Sequence, residues 1–320
     1  MTTAAPFTKK QHYIPQFYLK NFSQDGEHVY VYDRAKGDKG EIRYQTTIKV
    51  AHENHFYTYQ TRKGTKGNLE DLLGQIEGDT AAVIEKVKRE RTITPEDKEK
   101  LALFVGFLYS RTPAFKAKTQ EMTTKAGEKI ARMMFRMTPK ERIRKFLKGK
   151  EGKDYTDKEL DDLIDFGVNP KRSRIVFKYP QGWWIRTMLE MGTEAAKVFF
   201  GMDWLFLFTS QPYAFITSDN PFLLIPPEDY DRFWGVGLIT PKARKVIPLR
   251  SDMCLMMGDL SENPVVKFVD TTKEFFKSIN IYTLLGSERF CFSPEEGKLQ
   301  KLVKEIKPYN IPKMPKVRVD

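Results

Sequence analysis

Apolar residues recur at three- and four-residue intervals through the middle of the chain, whereas both ends carry short blocks of β-branched and aromatic residues. Leu69, Leu72, Leu73, Ile76, Val83, Ile84 and Val87 mark one face of a helix with Asn68 as its N-cap. A second helix begins at Thr94, takes Pro95 in its first turn, carries Leu101, Phe104, Val105 and Leu108, and stops at Arg111-Thr112-Pro113. Ala114 to Met137 holds no Pro and few Gly, and continues through Thr138-Pro139 into a shorter helix ending near Leu147; KGKEGKD reads as a solvated linker. Thr156 and Glu159 make a capping-box pattern for a further helix, and Gln181 to Phe200 closes the helical block.

The ends read differently. EHVYVYDR, EIRYQTTIKV and HFYTY predict an early β meander; WLFLF, AFIT, FLLIP, VIPL, MCLMM, VVKFV and RFCFS predict later strands, with a helix from about Thr271 to Leu285 before the last. Unbroken apolar runs suit strands covered on both faces. The expected fold is therefore α+β, a mixed β-sheet built from N-terminal and C-terminal strands with a large basic helical insertion between them. The segments are residues 1–67, the helical block 68–200, the strands 201–293 that complete the same domain, and a basic tail at 294–320.

Composition sharpens this picture in two ways. A 40% hydrophobic content with 23 Phe and 14 Tyr excludes a disordered chain, and the absence of any apolar run near the roughly 18 residues of a membrane span leads us to expect a cytoplasmic protein. The two cysteines, Cys254 and Cys291, lie in apolar stretches and suggest neither a disulfide scaffold nor a zinc site. The net charge of +12 is local: residues 111–153 hold fourteen Lys or Arg against four Asp or Glu, a balance of +10. Such an excess draws polyanions.

Three stretches carry a resemblance: HYIPQFYLKNF at His12 to Phe22, RTP at Arg111 to Pro113, and TSDNPF at Thr217 to Phe222. In this order they resemble the domain of unknown function 4238 family, from about His12 to about Leu285. The resemblance implies a cytosolic bacterial or phage-related protein and implies no activity. VIPLRSDM departs from the Ser-Pro expected after the leucine of that family's pattern.

The candidate chemistry sits mainly on those stretches. His12 could act as base or metal ligand, with Gln16 four residues on orienting a substrate or water, or both could pin the N-terminal segment to the core. Asp219 and Asn220 follow an apolar run where a strand leaves the core, a position for acid–base or metal chemistry and equally for an ordinary turn. Glu77 flanks the apolar stripe of the first long helix and could join Asp219 and His12 around Mg²⁺ or Mn²⁺. Arg111, at a helix end, could clamp a phosphate or complement the helix dipole. His52 and His55 lie in a strand-like context and miss the helical zinc pattern. There is no nucleotide-cofactor motif. Lys129, Arg132, Arg136, Arg142, Arg144 and Lys145, interleaved with Phe115, Met133, Met134 and Phe135, form a candidate nucleic-acid surface, set against a merely solvated face.

Three functions are compatible with these features. The first is a metal-dependent nuclease or related phosphoesterase. The second is a non-catalytic nucleic-acid- or protein-binding component, and the third a small-molecule hydrolase with a pocket rimmed by His12, Ser218 and Asp219.

Overall fold

The computed structural model describes residues 9–39, 41–60, 66–67, 69–227, 230 and 235–306. Two compact units emerge: residues 1–115 with 181–320, and the helical unit 116–180. The N-terminal elements are β1 (Lys10–His12), α1 (Gln16–Lys20), β2 (His28–Asp33), β3 (Ile42–Thr46), β4 (His52–Asn54), β5 (Tyr59–Gln60) and β6 (Lys66–Gly67). The helices are α2 (Glu70–Glu90), α3 (Pro95–Ser110), α4 (Pro113–Met137), α5 (Lys140–Glu151), α6 (Asp157–Val168) and α7 (Gln181–Phe200). The C-terminal part contains β7 (Met202–Phe208), β8 (Thr217–Ser218), β9 (Leu223–Ile225), β10 (Arg244–Arg250), β11 (Met253–Leu260), β12 (Val266–Asp270), α8 (Lys273–Gly286), β13 (Phe290–Ser293) and α9 (Glu296–Ile306).

The α+β class holds, and early and late strands do share a sheet, ordered β3-β2-β13-β8 and antiparallel throughout. Arg289 ties it together by a two-pronged bond to the fully buried Asp33, with Nε–Oδ1 and Nη2–Oδ2 both at 2.9 Å. The remaining late strands form a second, five-stranded sheet ordered β12-β7-β11-β10-β9, in which only β12 and β7 run parallel. Its central strands are the apolar runs: β7 and β10 are each buried at five of seven residues, and β11 at its first three, as two-sided coverage requires.

Helix boundaries follow the capping chemistry. Thr94 and Thr156 each close a capping box, with Asp97 and Glu159 returning the bond. The expected Asn68 cap does not hold: α2 takes Leu69 as its N-cap, with no side-chain cap bond. Asn68 itself lies outside the described residues, as do 1–8 and 307–320, which include about half of the expected basic tail. α5 runs to Glu151, so the first half of KGKEGKD is helical, and Gly152 with φ +70° ends it. HFYTY is largely a turn: His55 has φ 55°, and the Tyr57 amide is taken by the Gln11 side chain in place of a neighbouring strand.

The core of the larger unit centres on α3 packed against α7, with Trp184, Trp204, Phe104, Phe199 and Phe206 among its largest enclosed side chains. Two glycines set the distance between these helices. A Cβ on Gly106 would fall 2.2 Å from the Gly192 carbonyl oxygen, so no larger residue fits there without moving the backbones apart.

Candidate functional site

β1 and β4 pair antiparallel, with His12 opposite His52 and their rings edge to face at 5.5 Å. The chain then turns sharply, the Tyr13 amide reaching the Ala51 carbonyl at 3.0 Å, and Pro15 starts α1. That turn brings Gln16 back over His12. The Gln16 amide nitrogen donates to His12 Nε2 at 3.0 Å, which leaves the ring proton on Nδ1. Burial, the neighbouring His52 and Arg111 together depress the His12 pKa to about 4, against a weaker pull from the Val50 backbone, so the ring is neutral at pH 7.

Arg111, at the end of α3, is 1% exposed. Its Nε donates to the Tyr13 carbonyl at 2.9 Å and its Nη1 to Glu77 Oε1 of α2 at 2.8 Å. Its Nη2 is enclosed and meets no acceptor among the described residues. Tyr57 donates to the His12 carbonyl at 3.2 Å from the same side. His12, Gln16, Glu77 and Arg111 therefore belong to one connected assembly, joined through the backbone of Tyr13.

Asp219 and Asn220 join it at one remove. Tyr18 of α1 donates to the Pro248 carbonyl and accepts from Thr217 Oγ1 at 2.8 Å, bonding the first stretch to the third. Asp219 is 5% exposed, and its carboxylate accepts the backbone N–H groups of Glu288, Arg289 and Phe290 at 2.9, 2.8 and 2.9 Å. Asn220 donates to the Gly286 carbonyl at 3.0 Å. The pair thus straps the turn between α8 and β13, a long-range role and not a local Asx turn. Burial raises the Asp219 pKa to about 6 against those three amides; burial also raises the pKa of Tyr13, with the Asp219 charge adding to it.

The three resembling stretches consequently meet in space, although the carboxylates among them are already engaged. Glu77 faces Arg111 and Asp219 faces three amides. Among the described residues no three or more His, Cys, Asp or Glu are grouped to hold a metal ion. Sequence reasoning missed Tyr13, whose carbonyl anchors Arg111, and Tyr18, whose hydroxyl bonds to Thr217. Both are aromatics that read as core, and only the partner contacts give them a second task.

The helical unit has its own site. α4 packs through Gly127 against Phe177 and through Phe135 against Gly167. Arg132 binds the Gly167 carbonyl at 2.7 Å and the Ser173 carbonyl at 2.9 Å, and Arg144 binds the Tyr155 carbonyl and Asp157. Those two arginines hold the unit together. The other candidates point outward: Lys129, Arg136, Arg142 and Lys145 are exposed, and no carboxylate among the described residues pairs with Arg136, Arg142 or Lys145. On α4, Lys118, Lys125, Lys129 and Arg136 share one flank by helical spacing, beside a stripe of exposed Met122, Ile130, Met133 and Met137. Phe146 of α5, 61% exposed, follows Lys145 directly.

Among the described residues no helix is long and apolar enough to cross a membrane. No curated protein and no solved structure matches the chain. The sequence model described as "Protein of unknown function (DUF4238)" matches residues 10–296, spanning all three stretches that meet around Arg111 and Asp219, and the chain belongs to that family.

Proposed function

We propose that this protein binds nucleic acid through the outer face of the helical unit 116–180, without chemistry of its own. The observation that carries this reading is the set Arg136, Arg142 and Lys145, exposed and without carboxylate partners among the described residues, with exposed Met133 and Met137 beside Arg136 on α4 and exposed Phe146 next to Lys145 on α5. Exposed cations that the fold does not neutralise are available to phosphates, and each phosphate bound releases a counterion. Adjacent apolar side chains offer bases a surface to lie on, which favours unpaired strands over a duplex. Anisotropy of labelled single-stranded DNA and RNA over a salt series tests it. The triple variant Arg136→Ala/Arg142→Ala/Lys145→Ala is expected to flatten the plot of log affinity against log salt by about 2. Unchanged binding by that variant, or no binding by wild type, would refute it.

A second reading, a metal-dependent nuclease or phosphoesterase, is favoured by one observation: His12, Gln16, Glu77 and Arg111 form a single assembly. On this reading neutral His12 is the base, Arg111 steadies a phosphate, and Glu77 and Asp219 leave their present partners to hold Mg²⁺ or Mn²⁺. Incubation with DNA and RNA in Mg²⁺, Mn²⁺ or chelator tests it. Cleavage that is abolished by chelator and by Asp219→Ala supports it, and equal processing by Asp219→Ala and Glu77→Ala proteins rules it out.

A further inference from the structure

Lys98 is the least expected residue in the core of the larger unit. It lies on the same face of α3 as Leu101 and Val105 and is 6% exposed. Its amine donates to the Met202 carbonyl at 3.0 Å and lies 5.4 and 5.2 Å from the ring centroids of Phe200 and Trp204. No carboxylate among the described residues forms an ion pair with it. Asp203 favours its charge from a distance, but one oxygen of that carboxylate accepts the Val265 amide at 2.9 Å. An ammonium has three N–H bonds, and here one meets an oxygen acceptor.

The same side chain lines an open pocket of about 250 Å³, whose rim residues Thr94, Pro95, Phe200 and Pro264 are exposed to solvent. Its walls are apolar, made by Ile93, Pro95, Phe200, Pro264 and Val266, and its polar lining is Lys98 and Thr94. The Thr94 hydroxyl accepts the Asp97 amide at 3.1 Å as an N-cap, which leaves its own proton to donate. A pocket slightly below the roughly 300–1,000 Å³ of drug-sized sites takes a fragment-sized molecule. A buried cation without an ion-pair partner, beside an apolar pocket, is complemented by an anion with an apolar body.

The geometry points to a binding site for a small organic monocarboxylate, its carboxylate on Lys98 and the Thr94 hydroxyl and its apolar body against Phe200 and Val266. Desolvation also pulls the Lys98 pKa below the ordinary lysine value, a penalty that a bound carboxylate relieves. This site is independent of the nucleic-acid reading and stands or falls separately from it.

The test uses the intact chain and phenylacetate as probe, followed by calorimetry or saturation-transfer NMR, with 2-phenylethanol and 2-phenylethylamine as charge controls. Phenylacetate is expected to bind wild type at least tenfold more tightly than the alcohol, with no binding of the amine. Lys98→Met, close in length and apolar, is expected to weaken phenylacetate at least tenfold while leaving the alcohol unchanged. Failure of phenylacetate to bind wild type, equal binding of acid and alcohol, or undiminished binding by Lys98→Met would each overturn the proposal. The acid-to-alcohol ratio is measured on wild type alone, so the test survives a variant that does not fold.

Discussion

The assembly around Arg111 and the outer face of the helical unit are both built from charged residues, and they use charge in opposite ways. In the first, Arg111 and Asp219 are enclosed and engaged: Arg111 by Glu77 and the Tyr13 carbonyl, Asp219 by three amides. In the second, Arg136, Arg142 and Lys145 face solvent, while Arg132 and Arg144 bind carbonyls of their own unit. A count of arginines and lysines does not distinguish these roles. What does is whether the fold supplies an acceptor.

The sharpest way to break the comparison is to remove one partner inside the assembly. Glu77→Ala leaves Arg111 enclosed without its counter-charge and is expected to destabilise the chain by about 3 kcal/mol in urea titrations. A loss below about 0.5 kcal/mol would mean that water reaches Arg111 as freely as it reaches the outer lysines. Next in size is Arg132→Ala in the helical unit, expected to cost roughly 2 kcal/mol because carbonyls at Gly167 and Ser173 lose a charged donor. Arg136→Ala, by contrast, is expected to stay within about 0.5 kcal/mol of wild type while weakening nucleic-acid binding.

A smaller effect sharpens the contrast through pH. Asp219 has a folded-state pKa of about 6 against an ordinary 3.8, so its contribution to stability is full below pH 3.8 and is lost as pH rises through about 6. His12 works the other way. Its folded-state pKa of about 4 stands below the ordinary 6.5, so its contribution is present above pH 6.5 and is lost as pH falls through about 4. The two offset each other over the same window. Asp219→Asn is therefore expected to gain stability from pH 4 to pH 6.5 more steeply than wild type, and His12→Gln to lose it, read as urea midpoints at each pH. Parallel curves for all three proteins would show that neither group titrates in that window in the folded chain.

Much of the fold was legible because its signals are local. Thr94-Pro95, Thr156 with Glu159, and the apolar period of α2 each act within a few residues, and these helices form within about a residue of where the sequence places them. What was not legible is long-range. Strand β13 pairs with β2 some 260 residues earlier, while β7 and β9 to β12 separate into another sheet; alternation of apolar residues fixes a strand's faces, not its neighbours. The site divides similarly. His12 and Gln16 were readable as a pair by spacing, and Arg111 and Asp219 by motif, but their partners are backbone groups of Tyr13 and of Glu288 to Phe290, which no side-chain pattern announces. Lys98 carries a local signal as well: it falls in register with Leu101 and Val105.

The close approach of α3 and α7 at Gly106 also bears on how such a chain can change over time. Just beyond α3, the ring of Phe115 stands 6.3 Å from that of Trp184, so the chain leaves the larger unit and re-enters it within side-chain reach. A segment whose two ends already meet can be shortened, lengthened or exchanged without moving the helices that bracket it. Replacing 65 residues with about five relieves loop closure by about 2 kcal/mol, a gain in stability and not a cost. The helical unit is in this sense a cartridge, and related chains are free to carry a different one, or none, on the same Arg111 and Asp219 framework.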